Sequence, residues 1–216
     1  MNSLKVNEIF YSLQGESSYA GRPCVFIRLT GCNLRCSYCD TRYAYEEGTD
    51  TNLDLIIDQV SSYRCPLVEI TGGEPLIQED TPQLIRRLLE RNVKVLLETN
   101  GSQNIQRVDD RCIKVVDMKC PSSGMEARND LENLKKLSSG DELKFVVGNR
   151  IDFEFAQEVL DDYHQFFPEK TPVHFSPVFG KLEPKLLAQW ILEEHLEVRL
   201  QLPLHKILWD PNQRGV

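Results

Sequence analysis

The chain has 216 residues, of which 41% are hydrophobic and 27% are charged, and its formal net charge is −8. This length suits one domain with a sizeable core, and the composition is that of an ordinary soluble globular protein. The acidic balance argues against a nucleic-acid-binding surface, which would show a basic stripe, and no apolar run approaches the roughly 20 residues of a membrane span.

The compartment is indicated by the first residues and by the cysteines. Residues 1–5 lead into an alternating segment and not into the apolar run of a secretory signal. Seven cysteines, an odd number, are typical of reduced thiols in a cytoplasm and not of a disulfide framework. We therefore expect a cytoplasmic protein with a single domain over residues 1–216.

Apolar runs rich in β-branched residues alternate with helical patterns along the chain. The alternating segment at residues 5–13 predicts a short strand or hairpin ahead of the core, and residues 212–216 are expected to form a loose tail. The later runs are near-continuous, which is typical of parallel strands buried on both faces. These strands are predicted at residues 24–30, 66–71, 93–99, 113–118, 142–147, 173–176 and 197–200.

Helices fit the gaps between these strands. Residues 53–63 carry four apolar residues at helical spacing, with Thr51 as the expected N-cap. Residues 81–92 begin with Thr81 and Pro82, a cap followed by proline at the first helical position. Further helices are predicted at residues 130–137, 153–166 and 183–195. This alternation predicts an α/β fold with a parallel sheet that is open or partly closed into a barrel.

The most informative motif is a group of three cysteines, Cys32, Cys36 and Cys39, at the spacing C-x3-C-x2-C. A closed structural metal site takes four ligands, and a cubane iron–sulfur cluster has four irons to ligate. Three clustered thiolates without a fourth nearby therefore favour a cluster with one iron open to a small molecule. The alternative is a zinc knuckle whose fourth ligand lies elsewhere, at Cys24, Cys65 or a histidine.

Polar groups also follow the predicted strands, and ligands bind at the carboxyl ends of parallel strands. Gly72 and Gly73 allow a close approach of the backbone to a ligand, and Glu74 offers a carboxylate suited to an ammonium group. The alternative for this segment is a tight turn with a solvated glutamate. Other polar strand ends lie at residues 98–101, 117–123 and 176–180, and at Lys144.

Arg28 stands inside an apolar strand, where a charged residue should be paired or bind a ligand. Its planar fork suits the carboxylate of a substrate. A structural ion pair with Glu16 or Glu69 is an equal alternative from the residues alone.

Together, these motifs resemble the radical S-adenosylmethionine superfamily and, within it, the family of 7-carboxy-7-deazaguanine synthases. The cysteine spacing with Tyr38 identifies the superfamily, whereas residues 12–16 (SLQGE) and 39–41 (CDT) are much more specific to the synthases. The motifs follow the expected order over most of the chain. One departure is Leu204, which stands where a small polar residue is expected before His205.

The resemblance implies a partial, open (βα) barrel with a short N-terminal strand or hairpin. It implies radical-mediated ring contraction of 6-carboxy-5,6,7,8-tetrahydropterin to 7-carboxy-7-deazaguanine with loss of ammonia, in 7-deazapurine and queuosine biosynthesis. The implied cofactors are a [4Fe–4S] cluster, S-adenosylmethionine and Mg²⁺. The implied partners are a second copy of the chain in a homodimer and a flavodoxin-like reductant.

The resemblance also implies roles for individual residues. The three cysteines would ligate iron, and Thr41 would ligate Mg²⁺. S-adenosylmethionine would contact Tyr38, Cys39, Asp40, Gly73, Glu74, Cys120, Pro121, Ser122, Ser123, Ser176, Pro177, Val178 and Phe179. The substrate would contact Leu13, Gln14, Gly15, Glu16, Arg28, Thr71 and His205. No catalytic residue is expected beyond the cofactor radical, which would take hydrogen from C6 of the substrate.

Two competing functions use the same cysteine loop. A small activase that installs a glycyl radical on a partner protein shares the loop and the chain length, but it does not need SLQGE, Arg28 or CDT. A non-catalytic electron carrier explains the cysteines but not the polar strand ends, and it normally closes its cluster with a fourth cysteine.

Overall fold

A computed structural model describes residues 2–216 of the chain. The strands are β1 (Ser3–Leu13), β2 (Pro23–Leu29), β3 (Thr49–Asn52), β4 (Leu67–Gly72), β5 (Lys94–Thr99), β6 (Ile113–Met118), β7 (Glu142–Val147), β8 (Val173–Pro177) and β9 (Arg199–Leu200). The helices are α1 (Leu53–Ser62), α2 (Thr81–Leu89), α3 (Arg150–Tyr163), α4 (Pro184–Glu193) and α5 (Leu204–Leu208).

All of these strands join one sheet in the order β3-β1-β2-β4-β5-β6-β7-β8-β9. The strands from β2 to β9 are parallel, whereas β1 runs antiparallel to both β2 and β3. The sheet is open because its two edge strands, β3 and β9, do not pair with each other. This confirms the predicted open α/β barrel with an N-terminal hairpin.

The first strand is longer than predicted. It spans 11 residues, because its beginning pairs with β3 while the rest pairs with β2. The short strand β3 was missed because its sequence, TDTN, is polar and gives no apolar signal.

The two faces of the sheet differ in chemistry because side chains alternate along a strand. On β4, Val68 and Ile70 are fully buried in the hydrophobic core, together with the apolar stripes of α1 and α2. Fully burying one such side chain contributes roughly 1.5–3 kcal/mol. Glu69 and Thr71 point to the opposite face, inside the curved sheet, where they line a cavity. The strands thus build a polar interior within an apolar shell.

Several predicted helix boundaries were wrong because side chains cap the backbone elsewhere. Helix α1 is capped by Asn52, whose Oδ1 accepts a hydrogen bond from the Asp54 N–H at 2.8 Å, whereas Thr51 pairs with Leu4 in the sheet. Helix α3 begins at Arg150 and not at residue 153, since Asn149 Oδ1 accepts from the Asp152 N–H at 3.0 Å.

Two further helix predictions are corrected. Thr81 is the first residue of α2 and not its cap, and its hydroxyl donates to the Pro75 carbonyl at 2.7 Å. Residues 131–136 form a 3₁₀ helix and not an α-helix. The buried Asn133 side chain holds this segment in place by donating to the carbonyls of Gly101 and Gln103, at 2.9 and 2.8 Å.

Among residues 2–216, the structure has no helix that is both long enough and apolar enough to cross a lipid bilayer.

Candidate active site

A cavity of about 950 Å³ lies inside the sheet and opens at the carboxyl ends of the parallel strands. Its volume is at the upper end of the range for small-molecule sites, so it has room for more than one ligand. Most of the predicted site residues line it: Leu13, Gln14, Gly15, Glu16, Arg28, Cys32, Cys36, Tyr38, Cys39, Asp40, Thr41, Thr71, Gly73, Ser176, Pro177, Val178, Phe179 and His205.

The loop after β2 brings Cys32, Cys36 and Cys39 to one end of this cavity as free, half-buried thiols. Two N–H groups point at the sulfur of Cys32, from the Leu34 backbone at 3.4 Å and from Asn100 Nδ2 at 3.8 Å. Burial raises the pKa of Cys32 and of Cys36. A metal that binds these sulfurs would displace the protons, as metal binding to thiols does.

The cysteine set fits an iron–sulfur cluster. Within residues 2–216, no three His, Cys, Asp or Glu side chains are arranged to hold a metal ion. Thiolates that each bind a different iron of a cluster do not have to converge on one point, unlike the four ligands of a zinc site.

Two glycines let the end of β4 touch the cysteine loop. Gly72 has φ +139°, and a Cβ on either Gly72 or Gly73 would collide with a backbone carbonyl. The Gly73 N–H donates to the Leu29 carbonyl at 3.1 Å, and the Glu74 N–H donates to the Gly31 carbonyl at 2.8 Å. The turn therefore fixes the position of the loop that carries Cys32.

Glu74 does not line the cavity in this structure, so the contact of its carboxylate with an ammonium group stays a prediction. The side chain is 0% exposed. Its Oε1 accepts from the Leu76 N–H at 3.0 Å and from the Thr99 hydroxyl at 2.8 Å, and its Oε2 accepts from the Asn100 N–H at 2.7 Å. Burial raises its pKa despite these bonds. Glu74 ties the turn after β4 to the end of β5.

The cofactor contacts of Cys120, Pro121, Ser122 and Ser123 also stay predictions, and none of the four residues lines the cavity. Cys120 and Ser123 are buried, and the Ser122 hydroxyl donates to Asp152. The carbonyls of Ser122 and Ser123 instead accept from the hydroxyl and N–H of Ser37, at 2.7 and 3.0 Å. This segment supports the cysteine loop from behind.

Arg28 pairs with Glu8 and not with the predicted Glu16 or Glu69. Its Nε donates to Glu8 Oε1 at 2.7 Å, and the Tyr43 hydroxyl donates to the same oxygen at 3.1 Å. The side chain is 15% exposed and borders the cavity. Within residues 2–216, Arg28 makes no other side-chain hydrogen bond, so its terminal nitrogens are available to an anion.

Thr41 lies at the same end of the cavity as Arg28. Its hydroxyl donates to Asp40 Oδ1 at 2.9 Å, and Asp40 Oδ2 lies 2.9 Å from Lys206 Nζ. Desolvation opposes ionisation of Asp40, but the Lys206 ammonium outweighs it and lowers the pKa of Asp40 to about 2. These are oxygen donors, which suit a hard cation such as Mg²⁺.

The C-terminal segment packs over this end of the cavity, so the prediction of a loose tail is wrong. Asn212 and Val216 line the cavity. Arg214 Cζ lies 3.8 Å from the centre of the Tyr43 ring, and Arg214 Nη1 lies 3.1 Å from Glu47 Oε2. Just before this segment, His205 of α5 packs against Gly15. A Cβ on Gly15 would lie only 2.6 Å from His205 Nδ1. Burial lowers the pKa of His205 and keeps the imidazole neutral at pH 7.

The floor of the cavity is an ion network centred on Lys144, which is 8% exposed. Lys144 Nζ lies 2.7 Å from Glu98 Oε1, pairs with Glu16, and lies 3.9 Å from Asp117 Oδ2. Burial disfavours the charge on Lys144, but Glu16 and Glu98 outweigh it and raise the pKa of this lysine. Burial likewise opposes ionisation of Glu98, but Lys144 outweighs it and lowers the pKa of Glu98.

Our list of candidate residues missed part of this cavity. The polar lining residues without a predicted ligand are Glu69, Glu98, Asn100, Asp117, Lys119 and Lys144, although all except Glu69 belong to the polar strand ends noted above. Four of them are ionisable residues inside buried strands, at Glu69, Glu98, Asp117 and Lys144. The argument applied to Arg28, that a charge in a buried strand needs a partner or a ligand, applies to all four and would have added Glu69.

Comparisons with known proteins agree with this geometry. The radical SAM superfamily model matches residues 26–180. The chain is 45% identical to "7-carboxy-7-deazaguanine synthase" of Chlorobaculum tepidum, over 99% of this chain and 97% of that protein. It is 43% identical to the protein of the same name from Koribacter versatilis, over 99% of this chain and 100% of that protein. The crystal structure of QueE from Escherichia coli has the same fold, with a TM-score of 0.77 at 23% identity over 93% of each chain.

Proposed function

Because this chain belongs to the radical SAM superfamily and, within it, to the 7-carboxy-7-deazaguanine synthases, we propose that its cavity converts 6-carboxy-5,6,7,8-tetrahydropterin to 7-carboxy-7-deazaguanine with loss of ammonia. The enzyme is a radical carbon–nitrogen lyase, and its product feeds 7-deazapurine synthesis, including that of queuosine. The family assignment disfavours the glycyl-radical activase, since relatives matched over the full length carry the synthase name.

The observation that carries the proposal is the joint opening of two different sites into one cavity. The three cysteine thiols stand at one end, and Arg28, Glu16, Thr71 and the Lys144 network border the rest. An electron carrier has no use for a polar compartment of this size beside its cluster. A radical enzyme needs such a compartment, because its cofactor and its substrate must lie next to each other and away from water.

Cys32, Cys36 and Cys39 would hold the [4Fe–4S] cluster, and S-adenosylmethionine would bind beside it. When bound, the cluster and S-adenosylmethionine would supply a 5′-deoxyadenosyl radical able to take hydrogen from the substrate. Tyr38, Cys39, Asp40, Gly73 and residues 176–179 border the cavity near the cysteines, and we assign them to S-adenosylmethionine. The Tyr38 hydroxyl donates to the Val146 carbonyl at 3.2 Å, which braces the loop against β7.

The substrate would lie between Arg28 and the floor. Arg28 has free guanidinium nitrogens for the substrate carboxylate, which a planar fork binds in a bidentate manner. Leu13, Gly15, Glu16 and Thr71 border the ring compartment, and His205 closes it as a neutral imidazole. Thr41 would ligate Mg²⁺ by its hydroxyl, and the ion would neutralise the substrate carboxylate together with Arg28.

Four further parts belong to the proposal. We propose a homodimer, a flavodoxin-like reductant and a cytoplasmic location, and we propose that residues 1–216 form a single domain. The last is supported by the continuity of the sheet, in which every strand from β1 to β9 takes part.

Anaerobic turnover tests the proposal. The reconstituted enzyme would receive S-adenosylmethionine, Mg²⁺, a reductant and 6-carboxytetrahydropterin, and mass spectrometry would look for 7-carboxy-7-deazaguanine. We expect the product from the wild type and none from a variant in which Cys32, Cys36 and Cys39 are all alanine. 5′-Deoxyadenosine without the product would refute the substrate assignment. If an enzyme with an intact cluster formed neither compound, the electron carrier would be the better account.

A further inference from the structure

Glu69 is a buried acid on the cavity floor with one hydrogen bond. It lies on β4 two residues before the predicted substrate residue Thr71, on the same face of the strand. The side chain is 4% exposed and borders the cavity. Its only side-chain hydrogen bond within residues 2–216 is accepted by Oε2 from Gln14 Nε2. From the described residues Oε1 accepts no hydrogen bond, yet it is not a fully enclosed atom. It therefore borders the open cavity.

The charge balance around Glu69 is uneven. Four carboxyl groups surround the floor, at Glu16, Glu69, Glu98 and Asp117, and Lys119 and Lys144 are the two ammonium groups that reach them. Both lysines are engaged by the other three acids. In the part of the chain that the structure describes, Glu69 has no cation within ion-pair distance, and its one donor is a neutral amide.

These surroundings favour the neutral acid form of Glu69. Burial is the main cause that raises its pKa well above the ordinary value, and the charges of Glu98 and Glu16 add to it and outweigh the opposing charges of Lys144 and Arg28. Because Oε2 accepts from Gln14, it acts as the carbonyl oxygen of the acid, and the proton belongs on Oε1. A carboxylic acid kept neutral in this way becomes a hydrogen-bond donor.

Gln14 holds Glu69 in place. Its Nε2 donates to Glu69, and its Oε1 accepts from the Glu16 N–H at 3.0 Å. The amide is thereby fixed in one orientation with both ends engaged, and the side chain is 3% exposed. Gln14, which is expected to read the substrate, thus also orients Glu69, whose free oxygen borders the cavity.

We propose that Glu69 is a substrate-specificity residue that donates a hydrogen bond from its carboxylic acid to a carbonyl oxygen of the substrate ring. The inference rests on the proposed function, since the pterin ring carries such a carbonyl at C4. A 4-amino ring would present N–H donors to the acid proton and would be rejected. Sites built around one hydrogen bond discriminate strongly against analogues that cannot form it.

The test compares two variants of Glu69 with a matched control. Glu69→Gln keeps an acceptor for Gln14 and a donor for the substrate, whereas Glu69→Val keeps neither. Glu142→Gln changes another buried carboxyl group inside the barrel, which bonds to His174 at 2.8 Å and does not line the cavity. Holoenzyme with S-adenosylmethionine would be titrated anaerobically with 6-carboxypterin and with its 2,4-diamino analogue, by quenching of ligand fluorescence.

We expect Glu69→Gln to bind 6-carboxypterin within about threefold of the wild type and to keep its preference for the 4-oxo ring. Glu69→Val should bind roughly tenfold more weakly and lose most of that preference, and Glu142→Gln should behave as the wild type. Iron content and 5′-deoxyadenosine formed without substrate would show that each variant is folded and loaded.

Wild-type affinity in folded Glu69→Val would overturn the inference. A loss of binding in Glu69→Gln would also overturn it, because it would show that the ionised carboxylate is the form that binds. If Glu69→Val does not fold, the affinity of Glu69→Gln for 6-carboxypterin still tests the inference. A wild type that makes no product from the tetrahydropterin would refute the proposed function itself, which is a different result from a functional wild type with an indifferent Glu69.

Discussion

Lys144 holds the charges of the cavity floor together. It pairs with Glu16 and Glu98, which lie far apart along the chain. Removal of one partner from a buried ion network costs about 3–5 kcal/mol, because the remaining charges are left uncompensated.

We expect Lys144→Met to lower the free energy of unfolding by roughly that amount, measured by urea denaturation. The matched control is Lys135→Met, which removes a solvent-exposed pair with Glu132 at 2.7 Å and should change stability by less than about 1 kcal/mol. Equal effects of the two substitutions would show that the Lys144 network contributes nothing particular.

The raised pKa of Glu69 predicts a pH-dependent stability. The acid form is favoured in the folded state, so the folded protein binds more protons than the unfolded chain above the ordinary pKa of 4.5. Stability is therefore lost as the pH rises from that value through the folded-state pKa. Glu69→Gln has no such group to titrate. The urea midpoint of this variant minus that of the wild type should therefore increase with pH. A constant difference between pH 4 and pH 8 would contradict the shift.

Thr41 tests the magnesium assignment. Thr41→Ala should lower kcat/KM by at least roughly tenfold and weaken the dependence of activity on Mg²⁺, since the ion would lose its protein ligand. Thr41→Ser keeps the hydroxyl and should retain most of the activity. Full activity with unchanged Mg²⁺ dependence in Thr41→Ala would remove the assignment.

At the scale of single elements, the turn after β4 shows why glycine is required next to the cysteine loop. A Cβ on Gly73 would meet the Gly31 carbonyl and come within 2.9 Å of the Cys32 Cβ. The backbone of the cysteine loop would have to move to make room.

We expect Gly73→Ala to destabilise the protein by about 1–3 kcal/mol and to reduce the iron bound per chain after reconstitution. Gly21→Ala is the control for iron content, because alanine is also strained at the Gly21 φ of +84° but a Cβ there would meet nothing within 4 Å. Normal iron content in Gly73→Ala would show that the contact does not position the cysteines.

The elements also show what local sequence can and cannot predict. The strand β6, at residues 113–118, was predicted to the residue because an apolar run identifies a buried strand. The direction of the Glu74 carboxylate was not predictable, since it depends on the Thr99 hydroxyl and the Asn100 N–H at the end of another strand. Likewise, the 3₁₀ form of residues 131–136 depends on bonds from Asn133 to a loop about 30 residues away.

At the scale of the whole molecule, the open sheet lets distant segments meet over one cavity. The hairpin loop between β1 and β2 reaches β7, where the Ser18 N–H donates to Glu142 Oε2 at 2.9 Å. The same loop contacts α5, whose Leu204 N–H donates to the Gly15 carbonyl at 3.0 Å. The motif residues that line the cavity could be predicted from the sequence, because each motif directly follows a strand. The packing of residues 212–216 over it has no local sequence signal, since it depends on Tyr43 and Glu47.

The most direct test of the central claim, that one cavity holds both the radical source and the pterin, is hydrogen transfer. 6-Carboxytetrahydropterin with deuterium at C6 would be turned over anaerobically by the reconstituted enzyme, and the 5′-deoxyadenosine would be analysed by mass spectrometry. We predict that deuterium from C6 appears in the 5′-deoxyadenosine formed during turnover. Unlabelled 5′-deoxyadenosine accompanying a normal yield of 7-carboxy-7-deazaguanine would contradict the account.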